Sequence, residues 1–265
     1  MEQNPERHAT RDSHAGRRVL VTGAAKGIGQ AIARSFARRG AQVGILDIDA
    51  DEVAAAVEEI AKQGGKAYGI VADVSDYQVL SEGLEKVAAD MGAPFDTVIN
   101  NAGISPKHNG AAHKIWEMEP QEWRRVTDVN LTGHFNTIRL LTPHMRKAGQ
   151  GWIVNTSSVA GKTHSPIVAA HYAATKSAII GFTKHIAAEL GPFGIRVNAL
   201  APGRIETPMV AGVAPEINAE QVAMTPMSRL GQPFEVADVA LWLTSPEASF
   251  VTGQTIDVAG GLYMT

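Results

Sequence analysis

In the stretch "HYAATK", His171 to Lys176, a tyrosine and a lysine stand four residues apart, Tyr172 and Lys176. Residues at i and i+4 lie one above the other on a helix, so this phenol and this ammonium can face one pocket. A free phenol has a pKa of about 10 and is a poor base at neutral pH. A neighbouring ammonium favours the phenolate, and each unit of lowering takes about 1.4 kcal/mol of differential interaction. The chemistry expected of the pair is proton transfer, from an alcohol being oxidised or to a carbonyl being reduced. The oxyanion that develops in such a step needs a hydrogen-bond donor. Ser157 and Ser158 in "NTSSVAG" are candidates, and strand alternation sends them in opposite directions. A lone Tyr-x-x-x-Lys is common, so the surrounding elements decide what it means.

A second stretch with chemistry is "TGAAKGIG", Thr22 to Gly29, with glycines at 23, 27 and 29. It sits where an apolar strand gives way to a helix. A turn without Cβ atoms brings phosphate close to backbone N–H groups, and a helix N-terminus adds donors and a favourable dipole. The spacing is neither the common G-x-G-x-x-G fingerprint nor a P-loop.

The elements that must hold these residues follow from periodicity. Continuous apolar runs are expected as strands: "RRVLVTG", "AQVGILDID", "KAYGIVADV", "FDTVINNAG", "GWIVNTSS", "IRVNALAPG" and "GQTIDVAGG". Between them the 3.6-residue pattern predicts helices over 27–39, 51–63, 77–91, 119–148 (Pro143 kinking it or near its end), 171–190 and 234–243. Continuously apolar strands are buried on both faces, and strict strand-then-helix alternation gives right-handed crossovers. The fold class is therefore α/β: a doubly wound, parallel, seven-stranded sheet, Rossmann-like, with helices on both faces. Residues 1–16 lack an apolar run and read as a flexible tail; 17–265 read as one dinucleotide-binding catalytic domain. Residues 203–229, rich in proline with few helix or strand cues, read as a substrate loop or lid.

Composition excludes several functions. Twenty-four Lys+Arg against 27 Asp+Glu leave a charge of -3, without the basic excess of a nucleic-acid or membrane-surface protein. There is no cysteine, so disulfides, thiolate catalysis and cysteine-ligated zinc are out. No segment reads as a secretory signal or a membrane span, which points to a cytoplasmic protein. None of the nine histidines shows zincin spacing, and no metal is expected.

Four motifs occur in one order: TGxxxGIG, "NNAG" at Asn100 to Gly103, Tyr172-x-x-x-Lys176 and Pro202-Gly203. The set resembles the short-chain dehydrogenase/reductase family over nearly the whole chain, from Arg17 onwards. The resemblance implies roles residue by residue. Tyr172 is the proton donor and acceptor, Lys176 lowers its pKa and holds ribose hydroxyls, and Ser158 polarises the substrate. Asn130, in "DVNLTGHF", helps hold the lysine through water; a helix-interior Asn satisfying a backbone group is the plainer alternative. Gly23, Lys26, Gly27, Ile28 and Gly29 form the phosphate turn. Asp73 and Val74 resemble an adenine-contacting pair, with an N-cap role for Asp73 or Ser75 equally open. Asn100, Ala102 and Gly103 let backbone pass the cofactor ribose and brace the sheet. Pro202 and Gly203 turn the chain over the nicotinamide, Thr207 bonds its carboxamide, and Ile205 is counted with the cofactor-binding residues.

Asp47 ends the second strand, where a carboxylate accepts hydrogen bonds from ribose hydroxyls and repels a 2′-phosphate. Lys26 argues the other way, since a basic residue there often accompanies NADP in the family. The carboxylate is the costlier neighbour for a phosphate, so NAD is expected over NADP. The expected activity is NAD(H)-linked interconversion of a secondary alcohol and a ketone or aldehyde. The alternatives are an NADPH-linked 3-oxoacyl-thioester (acyl carrier protein) reductase and a non-catalytic dinucleotide sensor. Family likeness implies a homotetramer or dimer. Specificity is expected in residues 104–118, 159–169 and 204–228, with Trp116, Met209, Val210, Val213 and Met224 as apolar pocket surface. Arg204 and Glu206 read as solvated or lid-anchoring residues.

Overall fold

A computed structural model describes residues 13–211 and 213–264. Seven parallel strands, β1 (Arg18–Thr22), β2 (Gln42–Asp47), β3 (Lys66–Val71), β4 (Thr97–Asn100), β5 (Gly151–Thr156), β6 (Ile195–Pro202) and β7 (Thr255–Val258), lie in the order β3-β2-β1-β4-β5-β6-β7. The order reverses between β1 and β4, and in open α/β sheets a crevice opens there beyond the strand C-termini. The glycine turn leaves β1 and the "NNAG" segment leaves β4, so both reach that crevice.

Alternation along each strand feeds two cores. Val19 and Val21 of β1, with Val43 and Ile45 of β2, pack on α1 (Gly27–Arg38), α2 (Ala50–Lys62) and α9 (Pro233–Thr244) through Phe36, Ile60 and Val236. Leu20, Leu46, Val98 and Ile153 point the other way, to α3 (Tyr77–Asp90), α5 (Gly133–Ala148) and α6 (Ala170–Leu190). Burial of each such side chain contributes roughly 1.5–3 kcal/mol. The edge strands β3 and β7 are the least buried, since each has a neighbour on one side.

Three expectations change. The helix expected over 119–148 is α4 (Pro120–Thr127), a π-turn over Asp128–Thr132, and α5, running on without a break; Pro143 lies inside α5. The π-turn inserts an extra residue per turn and rotates Asn130 into the interior, where it is fully buried. The stretch 203–229 holds two helices, α7 (Pro208–Ala211) and α8 (Pro215–Met224). Each starts on a proline whose fixed φ suits a first helical turn, a cue that reads equally well as a loop. Of the expected tail, residues 1–12 lie outside the described residues. Its end is anchored: His14 is buried, its Nε2 is 3.0 Å from Thr244 Oγ1, and its ring meets Phe36 edge-on at 5.0 Å. Among the described residues no helix is long and apolar enough to cross a membrane.

Candidate active site

At the switch point lies a cleft of about 480 Å³ that draws residues from every motif in the sequence. The glycine turn forms its floor. Gly23 and Gly27 take positive φ, +60° and +57°, which only glycine adopts freely. A Cβ on Gly29 would lie 2.0 Å from Gly23 O, so the third glycine is required by packing of the turn on itself. Lys26 starts α1 without a side-chain cap, and no acidic residue occupies the first turn. The N-terminal amides of α1 are thus left for an anion. Asn101 Nδ2 pins the turn from β4 by donating to Thr22 O and Gly23 O at 3.1 and 3.0 Å.

At the β2 end, Asp47 borders the cleft; its Oδ2 accepts from Ala25 N at 3.1 Å and its Oδ1 from Ile48 N at 2.8 Å. The α2 N-cap is Asp49, accepting from Asp51 N and Glu52 N, which leaves Asp47 to border the cleft. Lys26 Nζ is 2.9 Å from Glu52. Asp73 also borders the cleft but is engaged by Ser75 and, at 2.8 Å, by Arg125. Neither Asp73 nor Ser75 caps α3; Asp76 does, accepting from Gln78 N and Val79 N. Val74 borders the cleft while packing against Gly133.

Tyr172 and Lys176, one turn apart on α6, both line the cleft with Ser158. Lys176 is buried; its Nζ donates to Thr156 O at 2.7 Å and sits 5.5 Å from the Tyr172 ring centroid. Burial pulls its pKa down to about 8. Tyr172 departs from expectation: burial holds its phenol above the ordinary value. Ser158, through a side-chain hydrogen bond, and the Arg204 cation draw it back. Arg204, read from the sequence only as a solvated or lid-anchoring residue, borders the cleft together with Tyr172. Both serines border the cleft, but Ser157 spends its hydroxyl proton on Lys176 O at 2.7 Å, whereas Ser158 Oγ accepts from Ala160 N at 3.2 Å and keeps its own proton to give.

Other site residues take supporting positions. Asn130 grips Ile104, accepting from its N at 2.7 Å and donating to its O at 3.0 Å, so the plainer alternative describes its contacts. Asn100 does not reach the cleft. It donates to Asn155 Oδ1 at 3.0 Å and accepts from Thr137 at 2.6 Å, and Asn155 in turn donates to Thr183. This buried chain ties α5, β4, β5 and α6 together; Ala102, Gly103 and the unforeseen Asn101 border the cleft instead. Pro202, Gly203, Ile205 and Thr207 form the opposite wall, with the Thr207 methyl 3.3 Å from where a Gly27 Cβ would stand. Met209, Val210 and Val213 line it, whereas Trp116 and Met224 are exposed outside it.

Histidines that the sequence left as ordinary polar residues gather around Glu122 of α4. His171 Nε2 and His108 Nε2 are 2.8 and 2.6 Å from its carboxylate, and His113 Nδ1 is 3.4 Å away. Burial raises the Glu122 pKa, but the hydrogen bonds of His171 and His108 outweigh that and hold it below the ordinary value. The rings of His108 and His113 stack at 3.4 Å and 3°, and each presents a nitrogen to Glu122 Oε2. The cluster ties the 104–118 loop to the start of α6, one residue before Tyr172.

A family model described as Enoyl-(Acyl carrier protein) reductase matches residues 23–263. The chain belongs to the short-chain dehydrogenase/reductase family. Like other members of that family it is an NAD(P)-dependent oxidoreductase acting on CH–OH and keto groups. It is 69% identical to a 3-oxoacyl-[acyl-carrier protein] reductase from Brucella melitensis ATCC 23457, with 100% of this chain and 98% of that one covered and a TM-score of 0.95. A Brucella melitensis 3-oxoacyl-[acyl-carrier protein] reductase with bound NAD is 67% identical over 100% of this chain and 98% of that one, TM-score 0.93. The 3-oxoacyl-[acyl-carrier-protein] reductase FabG of Staphylococcus aureus (strain Mu50) is 39% identical over 93% of this chain and 98% of that protein.

Proposed function

We propose that this short-chain dehydrogenase/reductase interconverts the keto group of a 3-oxoacyl compound and the corresponding alcohol, with NAD(H) as its cofactor. One observation carries the hydride-and-proton chemistry: Ser158, Tyr172 and Lys176 border the same cleft as the glycine turn and Asp47. The relatives' names support a 3-oxoacyl thioester as substrate. Asp47 supports NAD, as does a 67% identical relative solved with it. Lys26, the residue that favours NADP, is already matched by Glu52.

The donors present fit a dinucleotide: free amides at the α1 N-terminus suit a diphosphate, and Asp47 suits ribose hydroxyls. When bound, the nicotinamide supplies or takes up the hydride. The chain's part is the proton and the charge. Ser158 Oγ donates to the carbonyl oxygen and stabilises the negative charge that grows there. Tyr172 Oη gives its proton to that oxygen in reduction and recovers it in oxidation. Lys176, held on Thr156 O beside the phenol, offsets the phenolate left behind. Gly23, Gly27, Ile28, Ala102, Gly103, Ile205 and Thr207 shape the cofactor half, and the apolar Met209, Val210 and Val213 exclude water from the other. Assembly as a homotetramer or dimer belongs to the same proposal; the exposed Phe135 on α5 and Trp123 on α4 support a helix-face interface.

The test titrates NADH and NADPH by fluorescence, then follows cofactor oxidation with acetoacetyl-N-acetylcysteamine and acetoacetyl-acyl carrier protein. NADH binding tighter than NADPH, with turnover of a thioester, is expected. Turnover of no 3-oxoacyl compound, free acid or thioester, with NAD-linked oxidation of polyols, secondary alcohols or hydroxysteroids instead, would establish the second reading. That reading is a plain secondary-alcohol dehydrogenase, and it is favoured by Asp47 because 3-oxoacyl reduction in this family is usually NADPH-linked.

A further inference from the structure

The charges around the cleft are unevenly paired. Its carboxylates, Asp47 and Asp73, both stand at the β2–β3 end, and Asp73 is matched by Arg125 at 2.8 Å. Lys26 is matched by Glu52, and Lys176 rests on Thr156 O. Two further cations border the cleft, Lys107 and Arg204, and among the described residues neither pairs with a carboxylate. Both are half-buried.

Each is held in place by neutral acceptors. Lys107 Nζ donates to Ile167 O. Arg204 donates through Nε and one terminal nitrogen to Asn218 Oδ1, at 3.0 and 2.6 Å, and its other terminal nitrogen has no partner among the described residues. The rigid Pro202–Gly203 turn and the buried Ile205, bridged to Gly231, fix where Arg204 emerges. Burial lowers the pKa of both cations, and for Lys107 the Arg204 cation adds to the lowering. Half-buried like charges with no counter-ion are costly, and such a pair is completed by an anion. A cofactor diphosphate is served by the N-terminus of α1, whereas Lys107 is held on Ile167 O, in the segment that leads into α6 and Tyr172, and Arg204 follows the Pro202–Gly203 turn in the opposite wall of the same cleft.

We propose that Lys107 and Arg204 form the receptor for a carboxylate carried by the substrate, close to the carbon that Tyr172 serves. A planar guanidinium edge beside an ammonium matches a carboxylate, and charge-assisted hydrogen bonds of this kind are about twice as strong as neutral ones. The proposal rests on the hydride-transfer reading and narrows its substrate: the acyl compound enters as a free acid anion in preference to a neutral thioester.

The experiment uses the full-length enzyme with NADH. Acetoacetate and 3-oxohexanoate are compared with their methyl esters and N-acetylcysteamine thioesters, by kcat/KM and by calorimetric binding to the enzyme–NADH complex. We expect the acids to be favoured by about tenfold or more. Arg204→Met and Lys107→Met should each raise KM for the acids more than they lower kcat, and bring the acid-to-ester ratio towards one. Asn218→Ala, which removes the Arg204 anchor and the bond to Val210 O but neither cation, should keep the acid preference. Esters or thioesters preferred by the unmodified enzyme, a preference that survives in both Met variants, or acids that do not bind at all would each overturn the proposal. If nothing turns over yet the acids bind and Arg204→Met abolishes that binding, the cation pair stands and the hydride-transfer reading falls.

Discussion

Tyr172 in the folded chain is a weaker acid than a free phenol, because burial outweighs the help it receives from Ser158 and Arg204. The Lys176 ammonium is itself starved of water, with a pKa drawn down to about 8, and is turned towards Thr156 O. Spacing shows that two side chains share a helix face; it cannot show which of them loses more solvent. The assigned roles predict that Tyr172→Phe lowers kcat by about 10²–10⁴, and Ser158→Ala by about 10²–10³, with NADH affinity kept in both. Single-turnover kinetics with NADH titration checks this; Phe at 172 with undiminished turnover would refute the tyrosine's role. Asp47→Ser should raise NADPH affinity relative to NADH. An unchanged ratio of the two dissociation constants would show that another group reads the ribose.

Among the elements, the glycine turn and the Glu122 cluster have the least tolerance. Gly29→Ala would push a Cβ to 2.0 Å from Gly23 O, a contact that no flexible side-chain end can relieve. The cost is about 1–3 kcal/mol or more, and the cofactor turn must open. Lower urea midpoints together with weakened NADH binding are expected; a variant that binds NADH normally would show the turn to be more pliable than its packing implies. Glu122→Ala strips His171, which is fully buried, of its partner and frees His108 and His113. An orphaned buried donor costs about 1–3 kcal/mol. Limited proteolysis should then cut within 104–118 sooner than in the unmodified chain, and equal cutting rates would refute the tether.

For the whole molecule, acid is the expected weakness. His134 is buried, and burial first, then Lys176, lowers its pKa to about 3; His14 falls to about 4, mainly through burial, with Arg17 and Arg39 adding to it. The unfolded chain therefore binds these protons from about pH 6.5 downwards while the folded chain refuses them. Stability is full above that value and is lost as the pH falls towards 4 and 3. At pH 5 the loss at His134 is about 2 kcal/mol. Urea midpoints at pH 7 and 5 should show the drop, with a smaller one in His134→Gln; equal slopes would show that His134 takes up its proton in the fold.

The order of strands and helices, the glycine turn at a strand end, Asp47 at the next strand end and the Tyr172–Lys176 face were all legible in the chain. Each depends on local periodicity or on spacing within a few residues, which a sequence carries explicitly. The π-turn at Asn130 and the helices in 203–229 were not, because one extra residue per turn or a proline start leaves no distinct periodic signal. What tertiary structure alone decided were meetings across large separations. Arg204, Lys107 and Tyr172 come to share one cleft, Glu122 collects three histidines, and Asn100 is drawn into the interior in place of Asn101. Which of two adjacent side chains is dry, and which cations share a cleft with a phenol, are set by the packing of distant elements and by the solvent they exclude.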